Sequence, residues 1–130
     1  MKIEEQVLSI EQMKHLQELG VDTSDASMCW VEGEDTSTDE GEWNLIIPNN
    51  FLLPYNIPTY TIGDLIEKLP KQIGWYELSV CWENKCVEYD NRISEEVIDY
   101  IGDFNFEYRP LIEALYDCLC WVAENHKELL

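Results

Sequence analysis

No lysine or arginine stands between Lys14 and Lys68, and over 130 residues only eight Lys and Arg face 27 Asp and Glu, a formal net charge of −19. Nucleic-acid backbones and anionic lipid are held largely by Lys and Arg, so this deficit excludes direct nucleic-acid binding and electrostatic attachment to a membrane surface. Long hydrophobic runs are missing too. No segment approaches the roughly 20 apolar residues that span a bilayer, and Met1–Gln6 lacks the apolar stretch of a signal peptide. The expectation is a soluble cytoplasmic protein.

Recognisable catalytic signatures are absent as well: the chain holds no Gly-rich phosphate loop, no H-E-x-x-H and no G-x-S-x-G. Histidine is scarce, with His15 on a short amphipathic segment and His126 near the C-terminus, and nothing local pairs either with a nucleophile. The five cysteines (Cys29, Cys81, Cys86, Cys118 and Cys120) are odd in number and include no C-x-x-C pair, which argues against both a disulfide framework and a zinc-finger spacing. Cys118 and Cys120 point about 200° apart on a predicted helix and do not easily share one metal. Reduced, mostly buried thiols are expected, with no metal and no cofactor.

What the chain does have is enough apolar material for a core. Hydrophobic residues make up 45%, with five Trp, seven Tyr and three Phe, far from the composition of a disordered segment. The length suits one globular domain spanning 1–130.

Local signals divide the chain clearly at both ends. Ser9 with Gln12 forms a capping box, Leu8 and Met13 a staple, and Gly20 a stop, predicting a helix over about 10–19. Residues 26–31 and 43–47 read as strands flanking an acidic loop, and the proline-bearing stretch 49–58 as an ordered coil. Thr61 caps a helix over about 62–69, with Asp64 at its third position. Alternation over 75–90 predicts a β-hairpin. With Glu83-Asn84 as a two-residue turn, Val87 faces Val80, Tyr89 faces Leu78, and Cys81 faces Cys86 on the opposite side beside Glu77 and Glu88. Residues 94–101 fit either a short helix capped by Ser94 or an irregular return, and 104–108 alternates like a strand. Pro110 opens a final helix over about 110–126 with an apolar stripe centred on Leu115. The fold class is α+β: a small antiparallel sheet of about four strands with three helices.

Candidate chemistry is thin. The loop from Glu32 to Glu42 places Asp35, Ser37 and Asp39 at alternating positions, as a calcium loop does. However, Glu40 stands where an EF-hand needs glycine and Ile46 where it needs a bidentate glutamate. Glu34, Asp35, Asp39 and Glu40 read instead as a solvated surface open to a basic partner. Glu113 and Asp117, one turn apart, sit on a polar helix face, and a Cys29–His15 dyad is the one catalytic pairing to weigh. The final helix has an apolar arc of about 220°, wider than packing on one sheet requires. Trp121 and Tyr116 flank that arc, so the helix is expected to be covered by more than the sheet, with Trp121 as core or as interface anchor.

Four segments, Ser9–Leu16, Asp22–Trp30, Pro58–Ile62 and Leu115-Tyr116 to Cys120-Trp121, resemble small acidic proteins encoded by gut bacteria and their phages or other mobile elements. The similarity runs over nearly the whole chain and carries no known catalytic residues. It implies an accessory bacterial or phage protein. The reading is then a non-enzymatic module that binds another protein, basic by charge complementarity, with a homodimer as the other occupant. An acidic inhibitor or DNA mimic that fills the basic groove of a nucleic-acid-binding protein is the alternative, and a small Cys/His enzyme stands third.

Overall fold

The structure, a computed structural model, describes residues 6–32, 43–46 and 56–130. The acidic loop at 33–42, the first part of the coil over 49–58 and residues 1–5 lie outside them. Three α-helices and seven strands in two antiparallel sheets form the described part, an α+β fold. The strands exceed the expected four because they build a three-stranded sheet as well as a four-stranded one. The chain divides into two compact units, Met1–Asp64 and Leu65–Leu130.

In the first unit, helix α1 (Ile10–Glu18) is built as the sequence dictates. Ser9 Oγ accepts from Gln12 N and Gln12 Oε1 accepts from Ser9 N, satisfying two of the donors that a helix start leaves open. Leu8, Met13 and Leu16 are fully buried, and Gly20 ends the helix with φ +88°. Strand β1 (Met28–Glu32) lies between β2 (Trp43–Ile46) and β3 (Asn56–Thr59). Strand β3 corrects the expected coil at 56–58. Pro58 stands opposite Cys29, which is tolerated because β3 is an edge strand, where the missing N–H breaks no ladder. The Leu8 carbonyl fixes the entry to α1, accepting from Trp30 Nε1 at 3.0 Å and Thr59 Oγ1 at 2.7 Å.

Helix α2 (Ile62–Lys68) begins at Thr61 with a reciprocal cap, Asp64 N donating to Thr61 Oγ1 and Thr61 N to Asp64 Oδ2. Asp64 Oδ2 also accepts from the amide and the hydroxyl of Ser27. Fully buried Tyr60 donates its hydroxyl to Asp25 Oδ1 at 2.6 Å and to the Asp22 carbonyl. Burial and then the Asp25 carboxylate hold its phenol well above the ordinary range.

The second unit holds the four-stranded sheet, in the order β4 (Gln72–Ile73), β5 (Tyr76–Cys81), β6 (Cys86–Arg92), β7 (Ile98–Asn105). The hairpin register is as the alternation predicts: Leu78 opposite Tyr89, Val80 opposite Val87, Cys81 opposite Cys86. The turn differs. Residues 82–85 all leave the ladder, with Lys85 at φ +53°, and the Lys85 ammonium lies 5.9 Å from the Trp82 ring. The segment 94–101 is neither a helix nor an irregular return throughout. Ser94 Oγ accepts from the amides of Glu96 and Val97, a tight turn of the kind serine favours, and β7 starts at Ile98. That strand ends at Asn105, short of the expected 108.

Helix α3 (Leu111–Asn125) packs on β6 and β7. Its buried residues Ile112, Ala114, Leu115, Cys118, Leu119, Val122 and Ala123 form the wide arc read from the sequence. Half-buried Trp121 is covered by the sheet itself, with ring centroids 5.9 Å from Tyr89 and 6.0 Å from Phe104, and by His126 at 5.2 Å. Gly102 makes that approach possible: a Cβ there would stand 3.2 Å from the Phe104 ring and 3.4 Å from the Trp121 ring.

Two substitutions test these units separately. Gly102→Val is expected to destabilise the protein by about 1–3 kcal/mol through overpacking, read by chemical denaturation. Tyr60→Phe removes a hydrogen bond to a carboxylate and is expected to cost about 1.5–3 kcal/mol in the same assay.

Candidate functional site

Strand alternation sends Val87 and Tyr89 of β6 toward α3 and Cys86, Glu88 and Asp90 to the other face. On that face the register sets Cys81 beside Cys86, Ser79 beside Glu88 and Glu77 beside Asp90 from β5. From β7 it sets Asp103 beside Glu88. Past the bulge between Tyr89 and Asp90, which leaves Ile101 outside the pairing, Tyr100 stands beside Asp90. Strands β5, β6 and β7 together carry five carboxylates, Glu77, Glu88, Asp90, Asp99 and Asp103, against one base, Arg92.

The centre of this face is a tight cluster. The ligating atoms of Cys86, Glu88 and Asp103 all lie within 4.8 Å of one another, and Cys86 Sγ donates to Glu88 Oε2 at 3.2 Å. Cys86 is 6% exposed and Glu88 8%, while Glu77, Asp103 and Tyr100 are exposed. Among the described residues, no ion pair includes Glu88 or Asp103; the pairs are His15–Glu18, Arg109–Asp117 and His126–Glu128. Burial pushes the Cys86 thiol up to about 12, helped by Glu88, Asp103 and Cys81. The Glu88 carboxyl is raised by burial, opposed by the Cys86 thiol, and raised further by Asp90 and Asp103. Such a site holds a proton between a thiol and a carboxylate, or takes a cation in its place.

Other candidate residues fall elsewhere. Glu34, Asp35, Asp39 and Glu40 lie outside the described residues. Trp121 packs on the α3 side of the sheet, and Tyr116, half-buried one turn before Cys120, has its phenol raised by burial and then by its hydrogen bond to the Cys120 thiol. Cys29 is fully buried in β1, and His15 Nδ1 lies 3.9 Å from Glu18 on the half-exposed face of α1. A thiol with no accessible surface has no path to a substrate. Asp117 is bridged by Arg109. A cleft of about 280 Å³ in the first unit, lined by Gln6, Val7, Met28, Thr61, Ile62 and Gly63, offers no titratable group.

Sequence reasoning placed Cys81, Cys86, Glu77 and Glu88 on one face but missed Asp103 and Tyr100. Both arrive on β7, and the bulge at Ile101 breaks the alternation that would have shown it. No protein-family model, no curated protein and no solved structure matches the chain.

Thiol labelling reports this geometry. Cys29, Cys86 and Cys118 are buried, Cys118 with its thiol pushed up to about 12. Burial also raises half-buried Cys120 from 9.0 to about 11, leaving about 100-fold less thiolate at neutral pH. The native protein is therefore expected to react first at Cys81, and Cys81→Ser is expected to remove the fast phase of a disulfide-exchange reagent.

Proposed function

We propose that the chain is a non-enzymatic interaction module that binds a basic protein through the face of the four-stranded sheet turned away from α3. The observation that supports this reading is the composition of that face. Asp90 and Asp103 lie near half-exposed Tyr100, 45% accessible, with Glu77 on the far side of Asp90, and β5 and β7 contribute no base. An aromatic ring among carboxylates suits a Lys- or Arg-bearing surface, the ring giving contact area and the acids giving steering and register. An accessory bacterial or phage origin, implied by the sequence resemblance, suits a protein whose role is to occupy another protein rather than to turn over a substrate.

A DNA-mimicking inhibitor is the narrower form of this reading, since a basic nucleic-acid groove is one such surface. Competition separates the two. Tagged protein is expected to capture its partner from source cells in a salt-sensitive manner, and the capture is expected to fail for a Glu77→Lys, Tyr100→Ala double variant that folds normally. A central aromatic anchor alone is worth about 2 kcal/mol or more, roughly a 30-fold loss of affinity. Displacement of the captured partner by duplex DNA at low salt selects the mimic, and its failure selects an ordinary protein interface. Capture unchanged by the double variant removes this face from the function.

A further inference from the structure

We propose that Cys86, Glu88 and Asp103 form a binding site for one thiophilic divalent cation of the zinc class. This site shares Asp103 and one sheet face with the interaction surface proposed above, but zinc uptake is read on the chain alone and stands or falls without a partner. The three donors come from two paired strands in fixed register: Cys86 and Glu88 are two apart on β6, and Asp103 is directly opposite Glu88 on β7. Their ligating atoms already lie within 4.8 Å of one another.

Two distances and a burial carry the inference. In a tetrahedral site with metal–sulfur and metal–oxygen bonds near 2.3 and 2.0 Å, a sulfur and an oxygen ligand stand about 3.5 Å apart. The observed Cys86 Sγ to Glu88 Oε2 separation is 3.2 Å. The exposed Asp103 carboxylate, within 4.8 Å of both, needs no more than a side-chain rotation to reach that spacing while the strand stays paired. The buried member points to a ligand. Glu88, 8% exposed on a central strand, accepts from the Cys86 thiol and faces the carboxylates of Asp90 and Asp103, and among the described residues it has no ion pair to a base. A buried carboxylate is held ionised by a base or a metal and otherwise keeps a proton, so a cation here would take the place of that proton. Cys81, opposite Cys86 on the same face, brings a second thiol toward the first.

Donor chemistry selects the cation. Magnesium and calcium take oxygen ligands, whereas a thiol among carboxylates favours zinc and its neighbours in the first transition row. On binding, the Cys86 thiol gives up its proton to solvent and its sulfur becomes the metal ligand, so uptake releases a proton. No redox step is involved.

The test uses the full chain after chelator treatment and dialysis. Zinc titration by calorimetry is expected to show one site, and cobalt(II) in its place the near-ultraviolet charge-transfer absorption of a thiolate ligand. Even outer-sphere partners of metal sites change affinity by about 10–100-fold, so Cys86→Ser, Glu88→Gln and Asp103→Asn are each expected to weaken zinc by about 100-fold or more. Cys120→Ser and a combined Asp35→Asn, Asp39→Asn variant are expected to leave it unchanged. Should Cys86→Ser or Glu88→Gln fail to fold, Asp103→Asn at the exposed end of the cluster and the wild-type cobalt spectrum decide the matter. No zinc uptake at micromolar concentration, a cobalt complex without the sulfur band, affinity retained in Asp103→Asn, or binding abolished by the loop variant would each overturn the proposal.

Discussion

Strand β6 is the constraint on which the second unit depends. It is paired on both edges, and burial runs along Cys86, Val87, Glu88 and Tyr89 without alternation, so both of its faces are committed. One face anchors α3 through Val87 and Tyr89, whose hydroxyl also ties down the Pro70 carbonyl at 2.7 Å. The other carries a buried thiol and a buried carboxylate, Cys86 and Glu88. A one-residue slip in either neighbouring ladder would exchange these faces, driving Glu88 into the apolar side and Tyr89 out of it. The register of β6 is therefore specified from both sides, by burial and by polarity together.

The first unit is held differently, by small polar devices acting at strand and helix ends. Asp64 serves as helix cap and as acceptor for Ser27, and Leu8 presents one carbonyl to two donors from separate strands. The cap on Asp64 is local, and the two donors to the Leu8 carbonyl lie on strands already paired with each other, so little extra chain must be ordered to form those bonds. The scarcity of bases shapes this choice. No Lys or Arg stands between Lys14 and Lys68, and two of its carboxylates accept from amides and hydroxyls instead, Asp64 from Ser27 and Thr61 and Asp25 from Tyr60.

How much of this was legible in the sequence follows from how local each signal is. Ser9 with Gln12 and Thr61 with Asp64 are three residues apart, so both helix starts were readable, and the Cys81–Cys86 register followed from alternation around a short turn. Pro58 concealed β3 because proline argues for coil unless the strand is known to be an edge, which is a property of the whole sheet. Ser94 before Glu95 and Glu96 looks like a helix cap, and only the pairing of Ile98 onward with β6 decides for a strand. Gly102 and the bulge at Ile101 then hid β7, and with it Asp103. The centre of the candidate site was thus half readable: its β6 members came from local pattern and its β7 member from pairing alone.

Strand β7 is the last in its sheet, and eight residues of one-sided backbone would ordinarily recruit a neighbouring chain into a growing ladder. Its side chains resist that outcome. Asp99 and Asp103 lie along the strand, and the bulge at Ile101 interrupts its regular spacing. A second copy laid antiparallel on this edge would meet charge with charge and a kink with a kink. Asp103, a donor of the proposed cation site, therefore also guards this edge against polymerisation, and neutralising it would relax both properties at once.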